Sequence, residues 1–165
     1  MLPLTILATQ KVSDLLTNES ALQQEIAAIA GSCNTNVPAI ESTQIILSSA
    51  SQDINDRDMQ LTYPRICIYS SGLKNTQAEK FRSLSGSLMV VADLWTSGDL
   101  ISDVDRWIHF YVEAFTNVLR ENISDWGDGI FFPGAYDVQI QSPKPGGLGF
   151  AQMARITFNL NVSRN

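Results

Sequence analysis

The chain reads as an α+β domain, a single antiparallel sheet of about four to five strands packed on one long central helix, with N-terminal helices at the side. Three observations predict it. Residues 99–122 carry apolar side chains at helical spacing, and residues 154–163 alternate apolar and polar without a break. A glycine-proline run at 142–150, SPKPGGLGF, joins that alternation to another at 136–141, which makes the two strands an antiparallel pair. At 165 residues the chain fits one domain, 1–165, on a prior of ~150 residues per domain.

Residues 4–16 place Leu4, Leu7, Val12, Leu15 and Leu16 on a roughly helical spacing. Ser20-Ala-Leu-Gln23 has the form of a capping box, in which the serine hydroxyl and the glutamine amide satisfy free donors at the start of a second helix. That helix runs to about Ala30, where Gly31-Ser32 stops it. The apolar stripe of this helical segment, 1–30, is too narrow to stand alone, so the segment must dock on something. Residues 31–60 are mostly Ser, Asn, Thr, Asp and Gln, with one β-like run at Thr43–Leu47. They read as a solvated loop, or as an arm that orders against a neighbouring subunit.

The sheet and central helix occupy 61–165. LTYPRICIYSSG is extended, with Pro64 at a strand edge or start and Ile66, Cys67, Ile68 and Tyr69 covering both faces. In SLSGSLMVVADLWTSG, Leu84, Leu88, Val90, Ala92 and Leu94 share one face. Ser83, Ser85, Ser87 and Asp93 share the other with Met89, Val91 and Trp95, so both faces are partly covered in its second half. Ser97-Gly98-Asp99 stops this strand and caps the helix. Ile101, Val104, Ile108, Tyr111, Val112, Phe115, Val118 and Leu119 form the helix's apolar face. Two strands close the chain, Tyr136, Val138 and Ile140 on one, and Ala154, Ile156, Phe158, Leu160 and Val162 on the other.

Composition narrows the function. Charged residues are only 17%, against about 25% in a typical domain, which leans toward a surface partly covered by partners. The net charge of −6 opposes tight nucleic-acid binding, which needs clustered Lys and Arg. Cys33 and Cys67 form no CxxC pair and no metal spacing; they read as structural thiols, with a mutual disulfide left open. No run approaches the ~18 apolar residues of a membrane helix. The start, MLPLTILATQKV, has no basic residue ahead of its apolar stretch, so no signal peptide is expected and the Asn18, Asn122 and Asn161 N-x-S/T sites read as chance matches.

Chemistry has few candidates. His109 is the one histidine, beside the apolar face of the central helix, with Asp105 four residues earlier as a hydrogen-bond partner. Ser85-Gly86-Ser87 lacks the G-x-S-x-G elbow of hydrolases. In SPKPGGLGF, Lys144 precedes the glycines and a strand follows them, whereas a phosphate loop needs lysine after glycine and then a helix. No cofactor or metal is expected, and nothing points to an enzyme. Lys144, Gly146 and Gly147 then read as a hairpin that reaches a neighbour or a partner, where Lys144 meets an acidic subunit. Deleting 144–147 is expected to impair assembly more than folding. Trp126, Phe131 and Phe132, in DWGDGIFFPGAY at 125–136, are the other candidate contacts, since loop aromatics anchor interfaces; core-edge packing is the equal alternative.

The order of these parts resembles the tail terminator, or tail completion, proteins of long-tailed bacteriophages. The residues that carry the likeness are TYPRICIYSSG, LMVVADLWTSGD, WIHFYVEAFTNVLREN, WGDGIFFPGAYDVQI and GGLGFAQMARITFNLNVSRN, roughly residues 60–165. It rests on order and texture rather than on a catalytic motif. The resemblance implies an α+β fold, a hexameric ring on the end of the tail tube, and a non-enzymatic function. Such a ring stops tube polymerisation and offers a surface to the head's connector proteins, while DNA passes through its lumen without specific binding. Its place is the virion neck, after assembly in the bacterial host cytoplasm. Six copies at −6 would carry about −36 charges, which discourages DNA from sticking. The rival readings are another head-completion, connector or baseplate component, and, from a different class, a small hydrolase or ligand-binding domain using Asp105 and His109.

Overall fold

The computed structural model describes residues 2–49, 62–77, 79–146 and 149–165, so residues 50–60 of the polar segment and Gly147 lie outside the described residues. The chain forms α1 (Leu4–Thr17), α2 (Ala21–Ser32), β1 (Ile45–Ile46), β2 (Arg65–Asn75), β3 (Leu84–Gly98), α3 (Ile101–Glu121), β4 (Ile130–Phe131), β5 (Tyr136–Ile140), β6 (Lys144–Gly146) and β7 (Gly149–Arg164). The architecture is α+β as expected, but the sheet is mixed and, among the described residues, has seven strands rather than four or five. β1 runs parallel to β2, and every other pairing is antiparallel. β1 lies within the β-like run Thr43–Leu47, whereas β4 and β6 are two and three residues long, too short for an alternating pattern to mark them.

β3 and β7 are the spine of the sheet, paired along the whole of β3. β2 lies on the outer side of β3, while β4, β5 and β6 follow one another along the far edge of β7. These three are one edge strand, twice interrupted. Between Phe131↔Asn161 and Tyr136↔Phe158 the edge uses two more residues than β7, and between Ile140↔Ala154 and Lys144↔Ala151 it uses one more. Pro133 and Pro143 sit in those gaps, where no ladder donor is needed. At the turn into β4, Gly129 has φ +74°, and a Cβ there would lie 1.8 Å from the Ser163 carbonyl oxygen. Only glycine fits that approach. SPKPGGLGF is therefore less of a loop than its composition suggests, because Lys144–Gly146 pairs with Gly149–Ala151.

One face of the sheet is sealed by helices. Ile66, Ile68, Leu88, Val90, Ala92, Leu94, Ile156, Phe158, Leu160 and Val162 meet Ile108, Tyr111, Phe115, Val118 and Leu119 of α3 in one cluster. Each such side chain contributes about 1.5–3 kcal/mol relative to exposure. Ile101, expected on this face, is half exposed at the first position of α3, and Ala114 is buried in the cluster. Asp99 does not cap α3; the N-cap is Leu100, without a side-chain bond, because β3 runs on to Gly98.

The N-terminal helices are more than a flank. α1 packs directly on β2, and Leu4, Ala8, Val12 and Leu16 belong to the central cluster. α2 packs on α3. Ser20 makes no capping bond, since its own backbone is left-handed at φ 59°. Gln23, the expected partner in that box, instead donates to the Ile40 carbonyl (3.3 Å) and to Glu41 (3.1 Å). The linker after α2 is fastened from the other side too. Trp107 donates to the Asn36 carbonyl and Tyr111 to the Pro38 carbonyl, while Ile40 is buried. Its described part, though mostly exposed, is thus fastened to the chain's own helices at these points.

Candidate functional site

The odd-numbered residues of β3 and β7 point away from the helices, toward the open face of the sheet. Cross-strand register sets them in rows. Arg65, Trp95 and Met153 form the first row. Cys67, Asp93, Arg155 and Gln139 form the next, and Tyr69, Val91, Thr157 and Asp137 the third. Cys67, Trp95 and Met153 make a second small apolar cluster, with Ile46 and Tyr63 against it. This confirms that the second half of β3 is covered on both faces, as its mixed composition suggested.

Arg65 is the anomaly of this cluster. It is 0% exposed, and none of its three side-chain nitrogens meets an acceptor among the described residues. Its guanidinium lies 4.3 Å from the centroid of the Tyr63 ring and 5.9 Å from that of Trp95. Stacking on aromatic faces offsets part of the lost hydration, by ~2 kcal/mol in a desolvated setting. The desolvation penalty of a buried ion is several kcal/mol, so stacking alone leaves the charge undercompensated. The Trp95 indole Nε1 is also buried without an acceptor.

The neighbouring carboxylate is already taken. Asp93 accepts from Arg155 through both oxygens, Nε to Oδ1 at 2.8 Å and Nη2 to Oδ2 at 2.9 Å, and from the Tyr69 hydroxyl at 3.1 Å. The bond to Asp93 raises the Arg155 pKa still further above its ordinary value. Burial, and then the Asp93 charge beside it, pushes the Tyr69 phenol up. Burial also pushes the Cys67 thiol up, against the opposing pull of Arg65, which makes it a packing residue and a poor nucleophile. Cys33 and Cys67 are both free thiols, so the open disulfide question is answered in the negative.

Toward the hairpin end the same face changes character. Met89, Asn159 and Asn161 are exposed, with Ser87 and Thr157 half-buried beside them and Lys74 paired to Ser87. Besides Lys74, this half has carboxylates at its margins, Asp137 beside Thr157 on β5, and Glu79 and Asp125 in the groove that holds Ser87 and Asn161. The acids of the central helix, Asp103, Asp105, Glu113 and Glu121, lie across the molecule from it.

The contact residues expected from sequence do not come together. Phe132 is 0% exposed and packs edge-on against Phe158 at 5.6 Å, so it is core and offers no surface. Trp126 is half-buried over Phe132 at 5.5 Å and donates its indole N–H to the Asn122 carbonyl. Phe131 is 43% exposed and pairs with Asn161. Lys144 is exposed and pairs with Ala151, and half-buried Gly146 pairs with Gly149. Ten positions of β7 separate the partners of Phe131 and Lys144, roughly 33 Å at the rise of a strand. Gly147 lies outside the described residues. Removing 144–147 would also delete β6, so that deletion cannot separate assembly from folding.

Asp105 is not tied to His109. Its carboxylate accepts from Gln152 Nε2 at 3.0 Å, and the same amide donates to the Gln141 carbonyl. His109 is exposed on α3. Among the described residues no cluster of three His, Cys, Asp or Glu is placed to hold a metal, and no helix is long and apolar enough to cross a membrane. An open groove of about 620 Å³ lies near the chain ends, between Leu2, Glu79, Arg82, Asp128 and Arg164. Its charges are engaged, Arg82 with Glu79, Asp128 with Lys11, and Arg164 with the Leu2 carbonyl.

Arg65 and Trp95 were missed as a pair by sequence reasoning. The one signal was an arginine inside RICIY, on the same side of the strand as Cys67 and Tyr69, and it becomes legible only once register sets Trp95 opposite. Compared with known families and curated proteins, the chain matches no family model and no curated sequence.

Proposed function

We propose that the chain is a structural subunit of a ring at the neck of a long-tailed bacteriophage, terminating the tail tube and joining it to the head connector. The observation that carries the reading is the asymmetry of the sheet. Helices seal one face, while the exposed half of the other shows Ser87, Met89, Thr157, Asn159 and Asn161. A face of that kind suits the wall of a DNA channel. Lys74 gives phosphates little to hold, Arg155 is already paired with Asp93, and the carboxylates at the margins, Asp137, Glu79 and Asp125, discourage the strand from sticking. The texture of residues 60–165 resembles the tail terminator proteins and supports the same placement. A hexamer, contacts with the tail tube protein and the head-completion protein, and a location in the virion all follow from that resemblance.

Native mass spectrometry and negative-stain microscopy of the purified chain, alone and with tail tubes, test the proposal. A closed ring that caps tube ends is expected. A strict monomer that never binds a tube end contradicts it. Gene order beside tail-tube and head-closure genes separates a terminator from another connector or baseplate part.

A further inference from the structure

We propose that Arg65 and the Trp95 indole form a binding site for an anionic oxygen acceptor, a carboxylate or a small oxyanion such as sulfate. The inference is independent of the ring reading and stands on an imbalance of donors. Four side-chain nitrogens, Arg65 Nε, Nη1 and Nη2 and Trp95 Nε1, are buried with no acceptor among the described residues. Buried donors in native proteins are nearly always paired, and a planar guanidinium is built to bind a carboxylate or an oxyanion through two parallel N–H bonds.

The described residues around Arg65 supply cation stacking but no free oxygen acceptor. With Tyr63 at 4.3 Å and Trp95 at 5.9 Å, the aromatic rings occupy the faces of the guanidinium, and an acceptor must come to its N–H edge. Cys67 and Met153 are weak sulfur acceptors. Asp93 in the next row already receives Arg155 on both oxygens and Tyr69 on one. Size restricts the occupant. Arg65 has no exposed surface, so a nucleic-acid backbone cannot reach it, and a small ion or a single side-chain carboxylate reaches its N–H edge only when the side chains over it shift. That carboxylate has two sources, a free anion or an acidic side chain of a second copy that enters on assembly. The net charge of −6 makes acidic side chains abundant on any copy.

The test titrates sodium acetate and sodium sulfate into the full chain by calorimetry while following tryptophan fluorescence, with native mass spectrometry in parallel. If a free anion fills the site, the wild type shows one saturable site per chain. Arg65→Met abolishes it, and Trp95→Phe weakens it about tenfold through the lost N–H. If a second copy supplies the carboxylate, neither anion gives saturable heat, and Arg65→Met raises the dissociation constant of the oligomer by at least about tenfold. In the unliganded monomer Arg65→Met should be as stable as the wild type or more so, since it removes a charge without a partner. Three results overturn the site: saturable binding that survives Arg65→Met, no binding together with unchanged assembly, or an Arg65→Met monomer clearly less stable than the unliganded wild-type monomer. Should Arg65→Met fail to fold, Trp95→Phe decides, and behaviour equal to wild type in both arms overturns it.

Discussion

Tyr111 joins the central helix to the linker by donating its hydroxyl to the Pro38 carbonyl at 2.7 Å. Burial pushes its phenol well above the ordinary value near 10. The unfolded phenol ionises near 10 while the folded one keeps its proton. The stability Tyr111 contributes is therefore whole below pH 10 and drains away as the pH rises above it. Tyr111→Phe should cost about 1 kcal/mol at neutral pH, the usual worth of such a bond. It should also flatten the loss of stability as the pH rises above about 10, read from denaturant midpoints; an unchanged slope there contradicts the assignment. Asp93 and Arg155 give a second test, because they are unequally buried, at 4% and 41% exposure. Arg155→Met strands a buried carboxylate, whereas Asp93→Asn lets the arginine turn to water. The first should cost about 2–3 kcal/mol and the second about 1, in that order, by chemical denaturation. Phe131 and Phe132 show where residue-level reading stops. They are adjacent in sequence, yet one is exposed and one is core, because the short strand Ile130–Phe131 turns Phe131 outward and the chain just past it turns Phe132 back into the core. Phe132→Ala should cost about 3–5 kcal/mol and Phe131→Ala less than about 0.5, and similar values for the two would refute the placement.

At the scale of elements, long periodic segments were legible and short or tied ones were not. α3, β3 and β7 each span enough residues for a period to show, and the structure places them within a few residues of expectation. β4 and β6 owe their existence to a neighbour's free ladder groups, which no local pattern records, while β1 lies within the β-like run Thr43–Leu47. Ser20 had the composition of a cap, but Gln23 is held by Ile40 and Glu41, a tertiary choice overriding a local one. α1 is likewise fixed by a distant loop. Lys11 donates to the Trp126 carbonyl at 2.7 Å and pairs with Asp128 at 2.9 Å. The hydrogen bond from Lys11, and then its charge, holds the Asp128 carboxyl below its ordinary value of 3.8. The tie is therefore complete above that value and fails as pH falls through the lowered one. Lys11→Met should speed amide exchange in α1 and in residues 125–129 while leaving β3 and β7 unchanged. Uniform acceleration across the chain would show instead that the tie supports the whole fold.

For the molecule as a whole, the sheet's two faces carry the account. The sealed face explains why the chain folds, and an apolar period in the sequence foretold it. The open face was half foretold, since Met89, Val91 and Trp95 among serines on one side of β3 signalled partial cover. The Arg65 row emerges only when β2, β3 and β7 are in register. Fold does not dictate function, so the neck reading stands or falls on assembly. A head-to-tail contact between identical chains closes into a ring or runs on into a filament, and a terminator requires closure. The most direct test is native mass spectrometry of the full chain, with microscopy of the same sample mixed with tail tubes. The account predicts one closed species of about six subunits, seated on tube ends and halting their growth. A chain that stays monomeric across concentrations and leaves tube growth unaltered would contradict it.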